Sequence, residues 1–277
     1  MYHVPDSDVM MSTKRLFILV MICCGLLTGC TSDSSKDATE PPPLRVGVSA
    51  NYPPFELIDT ASGEPVGFDL DLMSEIARRN DWRCTFVDTP FVELLPAVMT
   101  RSLAAAISAI SITPRRQTMV AFSDPYYLAG QAILVRASDT LVEYLTDLRG
   151  KRVGVLGGST SESIAQRSDG LLVFPYHTVD EAVSALLRRE IDAVLNDHPT
   201  SRIHADTSDA LRLIVHDLDV EFYGIALPRT DTIRLEAIDA TLAQMMGDGT
   251  VDSLHVKWFG RPMMDEIDSV IAEDSLP

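Results

Sequence analysis

Gly67-Phe68-Asp69-Leu70-Asp71-Leu72 opens a stretch that runs to Asn80 and decides how the chain is read. Leu72, Met73, Ile76 and Ala77 recur at helical spacing and share one face, so 67–80 reads as a helix with one buried side. Asp69 and Asp71 stand near its start and Arg78 and Arg79 near its end, as the helix dipole favours. Upstream, Leu44-Arg45-Val46-Gly47-Val48 reads as a strand and Tyr52-Pro53-Pro54-Phe55 as a turn. Downstream, 83–87 reads as a strand, 91–100 as a helix, 104–110 as a buried strand and 132–135 as a strand leading away. The series restarts at Arg152-Val153-Gly154-Val155-Leu156. A turn at Gly157-Gly158-Ser159-Thr160 follows, then a helix start at 161–166, a strand at 171–175, a helix at 180–189 and a strand at 191–195. A strand at 224–227 and helices at 233–247 and 251–258 complete the pattern. Alternating β and α elements with two restarts predict two α/β lobes.

The N-terminus reads as an export signal. Lys14 and Arg15 precede an apolar run from Leu16 to Leu27 that is too short to span a bilayer. Met11-Ser12-Thr13-Lys14-Arg15 is a more natural start than Met1. The run ends in Leu27-Thr28-Gly29-Cys30, which resembles the bacterial lipobox, so 1–29 is expected to leave as signal peptide and Cys30 to carry the lipid. Residues 30–43 are polar and close on Pro41-Pro42-Pro43, the composition of a flexible tether with a stiff end. Cys84 is then the one unmodified cysteine of the mature chain, expected as a buried thiol in a strand.

With 23 basic against 40 acidic residues, the formal net charge of −17 repels phosphate backbones and argues against nucleic acid. The charge otherwise reads as solubility. The six histidines show no metal-binding spacing, and Gly157-Gly158-Ser159-Thr160 lacks the lysine of a nucleotide loop. No metal or other cofactor is expected.

Four blocks in order resemble the bacterial extracellular solute-binding protein family 3, the polar amino acid-binding components of import ABC transporters. They are 67–77; Ile110-Ser111-Ile112-Thr113 with Arg116 and Phe122-Ser123-Asp124-Pro125-Tyr126-Tyr127; Gly150-Lys151-Arg152-Val153-Gly154-Val155 with Gly158-Ser159-Thr160; and Asp192-Ala193-Val194-Leu195-Asn196-Asp197. The resemblance implies a two-lobed, type II periplasmic-binding-protein (Venus flytrap) α/β fold with a central mixed sheet in each lobe. Lobe one is expected at 44–127 plus 224–262, lobe two at 132–219, hinge strands near 128–131 and 220–223, and an acidic tail at 263–277. It implies a monomeric, lipid-anchored protein in the periplasm or at the cell surface. Such a protein hands an amino acid to an inner-membrane ABC permease.

The family's ligand contacts carry over onto residues present here. Arg116 supplies the planar fork that holds a carboxylate, with Ser111, Thr113 and, less directly, Ser108 beside it. Ser159 and Thr160 sit in a strand-to-helix turn whose amides favour an anion. Asp197, at a strand's C-terminal end, pairs with the ligand ammonium; the alternative is a helix N-cap before His198-Pro199. Tyr52 and Phe91 sandwich the ligand side chain, with core packing the alternative for Phe91. Ser49 stands where several cation-binding members carry an acid, which favours a neutral polar side chain unless Glu56 or Glu93 substitutes. Ala104 stands where the family usually has a structural Asp, so changed local packing is expected there.

Two other readings are open. The same fold hosts cyclohexadienyl (arogenate/prephenate) dehydratases, whose general-acid glutamate falls at the position of Thr200. Related ligand-binding domains also serve as sensors in signalling systems.

Overall fold

The computed structural model describes residues 42–215 and 220–263. The signal, the lipidation site Cys30, nearly all of the tether, and the tail beyond 263 lie outside the described residues.

Strands are numbered in chain order. They are β1 (Leu44–Val48), β2 (Asn51–Tyr52), β3 (Glu56–Ile58), β4 (Pro65–Val66), β5 (Cys84–Asp88), β6 (Ala105–Ala106) and β7 (Ala121–Phe122). After them come β8 (Tyr127–Arg136), β9 (Arg152–Leu156), β10 (Leu172–Tyr176), β11 (Ala193–Asp197), β12 (Leu211–Ile214), β13 (Val220–Tyr223) and β14 (Ala226–Leu227). The first sheet runs β5-β1-β6-β14-β7, parallel through β6 and antiparallel at β14. The second runs β10-β9-β11-β8-β12, parallel through β11 and antiparallel at β8 and β12. Both are mixed, and together they make the two α/β lobes. The link between them is the ten-residue β8, whose first half pairs with β13, Tyr127 opposite Tyr223 and Gly130 opposite Val220. A small third sheet, β2-β3-β4, hangs from the first lobe.

The helix after Gly67 spans Phe68–Arg79 and buries Phe68, Asp69, Leu70, Leu72, Met73, Ile76 and Ala77. Gly67 begins it at φ 151°, and a Cβ there would lie 1.9 Å from the Phe55 carbonyl oxygen. Only glycine fits. Below it, Phe55, Phe68, Tyr127, Tyr223 and Phe259 pack ring on ring, joining the turn before β3, the helix, both linking strands and the helix Thr250–Phe259.

The strand expected over 104–110 is shorter, two residues of β6. Ala104 and Ile107 still donate their N–H groups to Arg45 and Gly47 of β1. The ladder stops because Ala109 turns to φ 45° and gives its N–H to the Asp69 carboxylate, 2.8 Å away. Cys84 lies in β5 only half-buried, and burial raises its thiol pKa. A helix at His198–Asp206 and strand β12 complete the second lobe; neither stands out in the sequence pattern.

Candidate functional site

Arg116 lies on a one-turn helix, Pro114–Gln117, capped by the Thr113 hydroxyl, which accepts the Arg116 N–H at 3.2 Å. Its guanidinium is buried, donates to the Ser111 carbonyl at 2.8 Å, and lies over the Phe91 ring with 5.5 Å to the centroid. A third contact, 3.1 Å to the Gly158 carbonyl, reaches the second lobe. Burial pulls the guanidinium pKa down, against the opposing pull of Glu221 and Asp197 nearby.

Asp197 ends β11, buried. It occupies the N-cap position of the helix His198–Asp206, but its carboxylate makes no capping bond. Instead it accepts from Gln131 Nε2 at 2.5 Å and from the Tyr223 hydroxyl. Gln131 is itself held by Ser161 Oγ at 2.8 Å. Burial raises the Asp197 pKa, while Tyr223, Tyr52, Gln131 and Arg116 pull it back down. The carboxylate is thus engaged by Gln131 and Tyr223 and lines the inner chamber rather than capping the helix.

Ser159 caps the helix Thr160–Arg167 by accepting the Glu162 N–H at 3.0 Å. The Glu162 carboxylate in turn takes the Gly158 N–H at 2.7 Å, so this amide of the loop is already satisfied. Gly158 sits at φ 77°, and a Cβ there would meet Val92 of the other lobe at 2.8 Å. The lobes close on a glycine for lack of room.

At the opposite end of the chamber, Ser108 is not at the carboxylate position. Its hydroxyl donates to Glu56 Oε1 at 2.6 Å and accepts the Ser49 N–H at 3.0 Å. Asn51 Nδ2 donates to Ser49 Oγ at 3.1 Å. Glu56 is fully buried beside Asp69, and Asp69 also accepts from the Tyr126 hydroxyl at 2.8 Å. Burial lifts the Asp69 carboxyl to about 7 and pushes Glu56 well above the carboxylate range, with the Asp69 charge adding to it. Glu56 Oε2 and Asp69 Oδ1 find no donor of their own, so one proton shared between the two acids satisfies both.

Ser49, Asn51, Tyr52, Glu56, Phe91, Ser108, Ser111, Arg116, Ser159, Thr160 and Asp197 line one inner chamber of about 20 Å³. Of the ten binding residues expected from the sequence, only Thr113 lines the adjoining outer groove instead. The lobes meet around the chamber: Tyr52 donates to Asn196 Oδ1 at 3.0 Å and Thr200 to the Pro53 carbonyl at 2.8 Å. The outer groove, about 730 Å³, shares Phe91, Ser111, Arg116, Ser159 and Thr160 with the chamber and is also lined by Glu221. Sequence reading missed Glu221. Its Oε2 accepts from Ser111 Oγ at 2.5 Å and Thr160 Oγ1 at 2.8 Å. Burial first, then the Asp197 charge, lifts its pKa to about 7. Among the described residues, no group of three or more His, Cys, Asp or Glu is placed to hold a metal ion.

Residues 44–261 match the family described as bacterial extracellular solute-binding proteins, family 3. The chain belongs to that family. It is 32% identical to the lysine/arginine/ornithine-binding periplasmic protein of Escherichia coli, over 86% of this chain and 96% of that one. Among solved structures, the arginine-bound form of truncated ArgBP from T. maritima matches with a TM-score of 0.70 and 40% identity, over 73% of this chain and 95% of that one. An ancestral arginine-binding protein bound to arginine matches with a TM-score of 0.75 and 35% identity, over 78% and 97%. An ancestral arginine-binding protein bound to glutamine matches with a TM-score of 0.75 and 35% identity, over 79% and 98%. The type II two-lobed fold follows from these matches. These relatives are named as binding proteins.

Proposed function

We propose that the protein captures a basic amino acid, with L-arginine the favoured ligand, between its lobes and delivers it to an ABC import permease. The observation that carries this is one chamber with a buried guanidinium, Arg116, and a buried carboxylate, Asp197, brought from opposite lobes. That pair complements the carboxylate and ammonium of a zwitterion. The side chain extends between Phe91 and Tyr52 toward Glu56. A cation arriving there replaces the proton shared by Glu56 and Asp69, so an acid recruited from β3 does what Ser49 cannot. The relatives named for lysine, arginine and ornithine support a basic ligand, and the glutamine-bound ancestor marks a neutral side chain as the outcome to test against.

Relatives named as binding proteins support binding rather than catalysis. Thr200, where a dehydratase glutamate falls, carries no acid and spends its hydroxyl on the Pro53 carbonyl. Lobe one at 44–127 plus 224–262 and lobe two at 132–219 move about the linking strands β8 and β13. The mature protein is a monomer in the periplasm or at the cell surface, held to a membrane by lipid on Cys30. Among the described residues, no helix is long and apolar enough to cross a membrane.

The test is calorimetry and thermal shift on the chain from Thr31, which retains every described residue, against all amino acids. A ligand at 100 times its Kd adds about 2.7 kcal/mol of stability. L-Arginine, with lysine and ornithine behind it, is expected to give the shift. A shift with glutamine alone overturns the basic side chain, and no shift with any amino acid overturns the reading. Transfer of Cys30→Ser from the detergent to the aqueous phase checks the anchor.

A further inference from the structure

We propose that Glu221 is an internal occupant of the carboxylate end of the chamber, which a ligand carboxylate must displace. This rests on the amino acid-binding reading of the same site. The Ser111 hydroxyl comes from the segment after β6 of the first sheet, and the Thr160 hydroxyl from the helix packed on the second. Both donate to a single oxygen of Glu221, while Arg116 lies close enough to feel its charge. Ser111 and Thr160 are also residues that the family resemblance implies beside a ligand carboxylate. A side chain of the linking strand β13 therefore makes the bridge between lobes that a bound ligand is expected to make.

Charge balance gives the direction. The end of the chamber holds one cation, Arg116, and two acids, Asp197 and Glu221, and the Asp197 charge raises the Glu221 pKa. A zwitterion brings one charge of each sign. Its ammonium pairs with Asp197 and its carboxylate with Arg116, which leaves Glu221 as the surplus acid on donors now wanted by the ligand. The outer groove offers it somewhere to go: Glu221 already lines that groove, flanked on β13 by the exposed Val220 and Phe222. One rotation about its side-chain torsions moves the carboxylate from buried donors into water.

The test is calorimetry with L-arginine on wild type, Glu221→Gln and Glu221→Ala. Agmatine, which keeps the guanidinium stem and lacks the carboxylate, serves as the control probe. L-Arginine is expected to bind both variants about tenfold more tightly, the scale of one charge-assisted hydrogen bond removed from the competing state. Agmatine is expected to gain nothing. Unchanged L-arginine affinity in both variants overturns the proposal. Weaker L-arginine binding also overturns it, because Glu221 then contacts the ligand directly. If wild type binds no L-arginine, the ligand reading fails by itself and small-angle scattering of the ligand-free chain decides for Glu221. A larger radius of gyration for Glu221→Ala than for wild type supports the bridge between lobes, and equal radii overturn it.

Discussion

The two ends of the binding chamber are built on different principles. At the zwitterion end, two opposite charges arrive from different lobes, each fixed by hydrogen-bonded neighbours: Thr113 and Ser111 for Arg116, Gln131 and Tyr223 for Asp197. At the side-chain end there is no cation, and two acids of one lobe, Glu56 and Asp69, stand against each other with Ser108 and Tyr126 as donors. The first end is balanced before ligand arrives, apart from Glu221. The second is unbalanced, and a proton or a cationic side chain completes it. On the proposed reading, the first end recognises what all amino acids share, and the second chooses among them.

Removing Arg116 tests the shared end most severely. Truncating one partner of a buried, hydrogen-bonded charge pair costs about 2–5 kcal/mol. Arg116→Ala is therefore expected to weaken L-arginine by about 100-fold or more in calorimetry. Arg116→Lys recovers only part of that, because a point charge does not reproduce the fork. Loss of less than tenfold in the alanine variant places the ligand carboxylate elsewhere.

Asp197→Asn sharpens the comparison within the same end. L-Arginine is expected to lose about 30-fold, in the range for a hydrogen bond to a charged group left without its charge. A ligand lacking the α-amino group but keeping the carboxylate and guanidinium is expected to lose almost nothing. Equal losses for both ligands mean that Asp197 acts through Tyr223 and Gln131 on the shape of the cleft rather than on the ammonium.

Glu56→Gln shifts the test to the selective end. L-Arginine is expected to fall about tenfold, and L-glutamine to stay level or improve, measured side by side on the same preparation. A parallel fall for both ligands assigns Glu56 to packing and leaves the basic side chain without its acid.

The shared end was legible in the sequence because its chemistry resides in short motifs: Arg116 sits beside Ser111 and Thr113, and Asp197 closes an apolar strand. At the selective end the sequence showed an absence at Ser49 and left Glu56 and Glu93 both open as substitutes. Glu56 becomes its acid through a contact with Ser108, 52 residues away, and through burial against Asp69, neither of which any spacing announces. Glu221 was hidden for a related reason. It lies in a four-residue strand whose neighbours are exposed, so its pattern is that of an ordinary linker, and its donors are 110 and 61 residues distant. The Phe68–Arg79 helix read correctly because periodicity is local; the truncation of β6 did not, because the Ala109 turn answers to the Asp69 carboxylate.

The smallest effect concerns ligand-free stability, and it isolates the acid pair from ligand binding. Asp69 has its folded pKa raised from 3.8 to about 7, chiefly by burial. The folded chain thus keeps a proton that the unfolded chain gives up. For an acid shifted in this direction, stability is full below the unfolded pKa and falls as pH rises toward the folded one, here between about 4 and 7, by at most about 1.4 kcal/mol per pH unit. Above 7 the Asp69 contribution levels off. Glu221, also lifted to about 7, adds a loss of the same sign in the same window, and Glu56 extends it upward. Glu75, Asp192 and Asp248, held near 2 by arginine and threonine partners, act with the opposite sign but only below about pH 4. Thermal unfolding of the ligand-free chain from pH 4.5 to 7.5 is expected to show a falling stability whose slope is shallower in Asp69→Asn and keeps the Glu221 share. Saturating L-arginine is expected to make it shallower in wild type as well, because a guanidinium at Glu56 takes over from the shared proton. A slope unchanged by both treatments locates the titration outside the Glu56–Asp69 pair, and the selective end then loses its claim to be the unbalanced one.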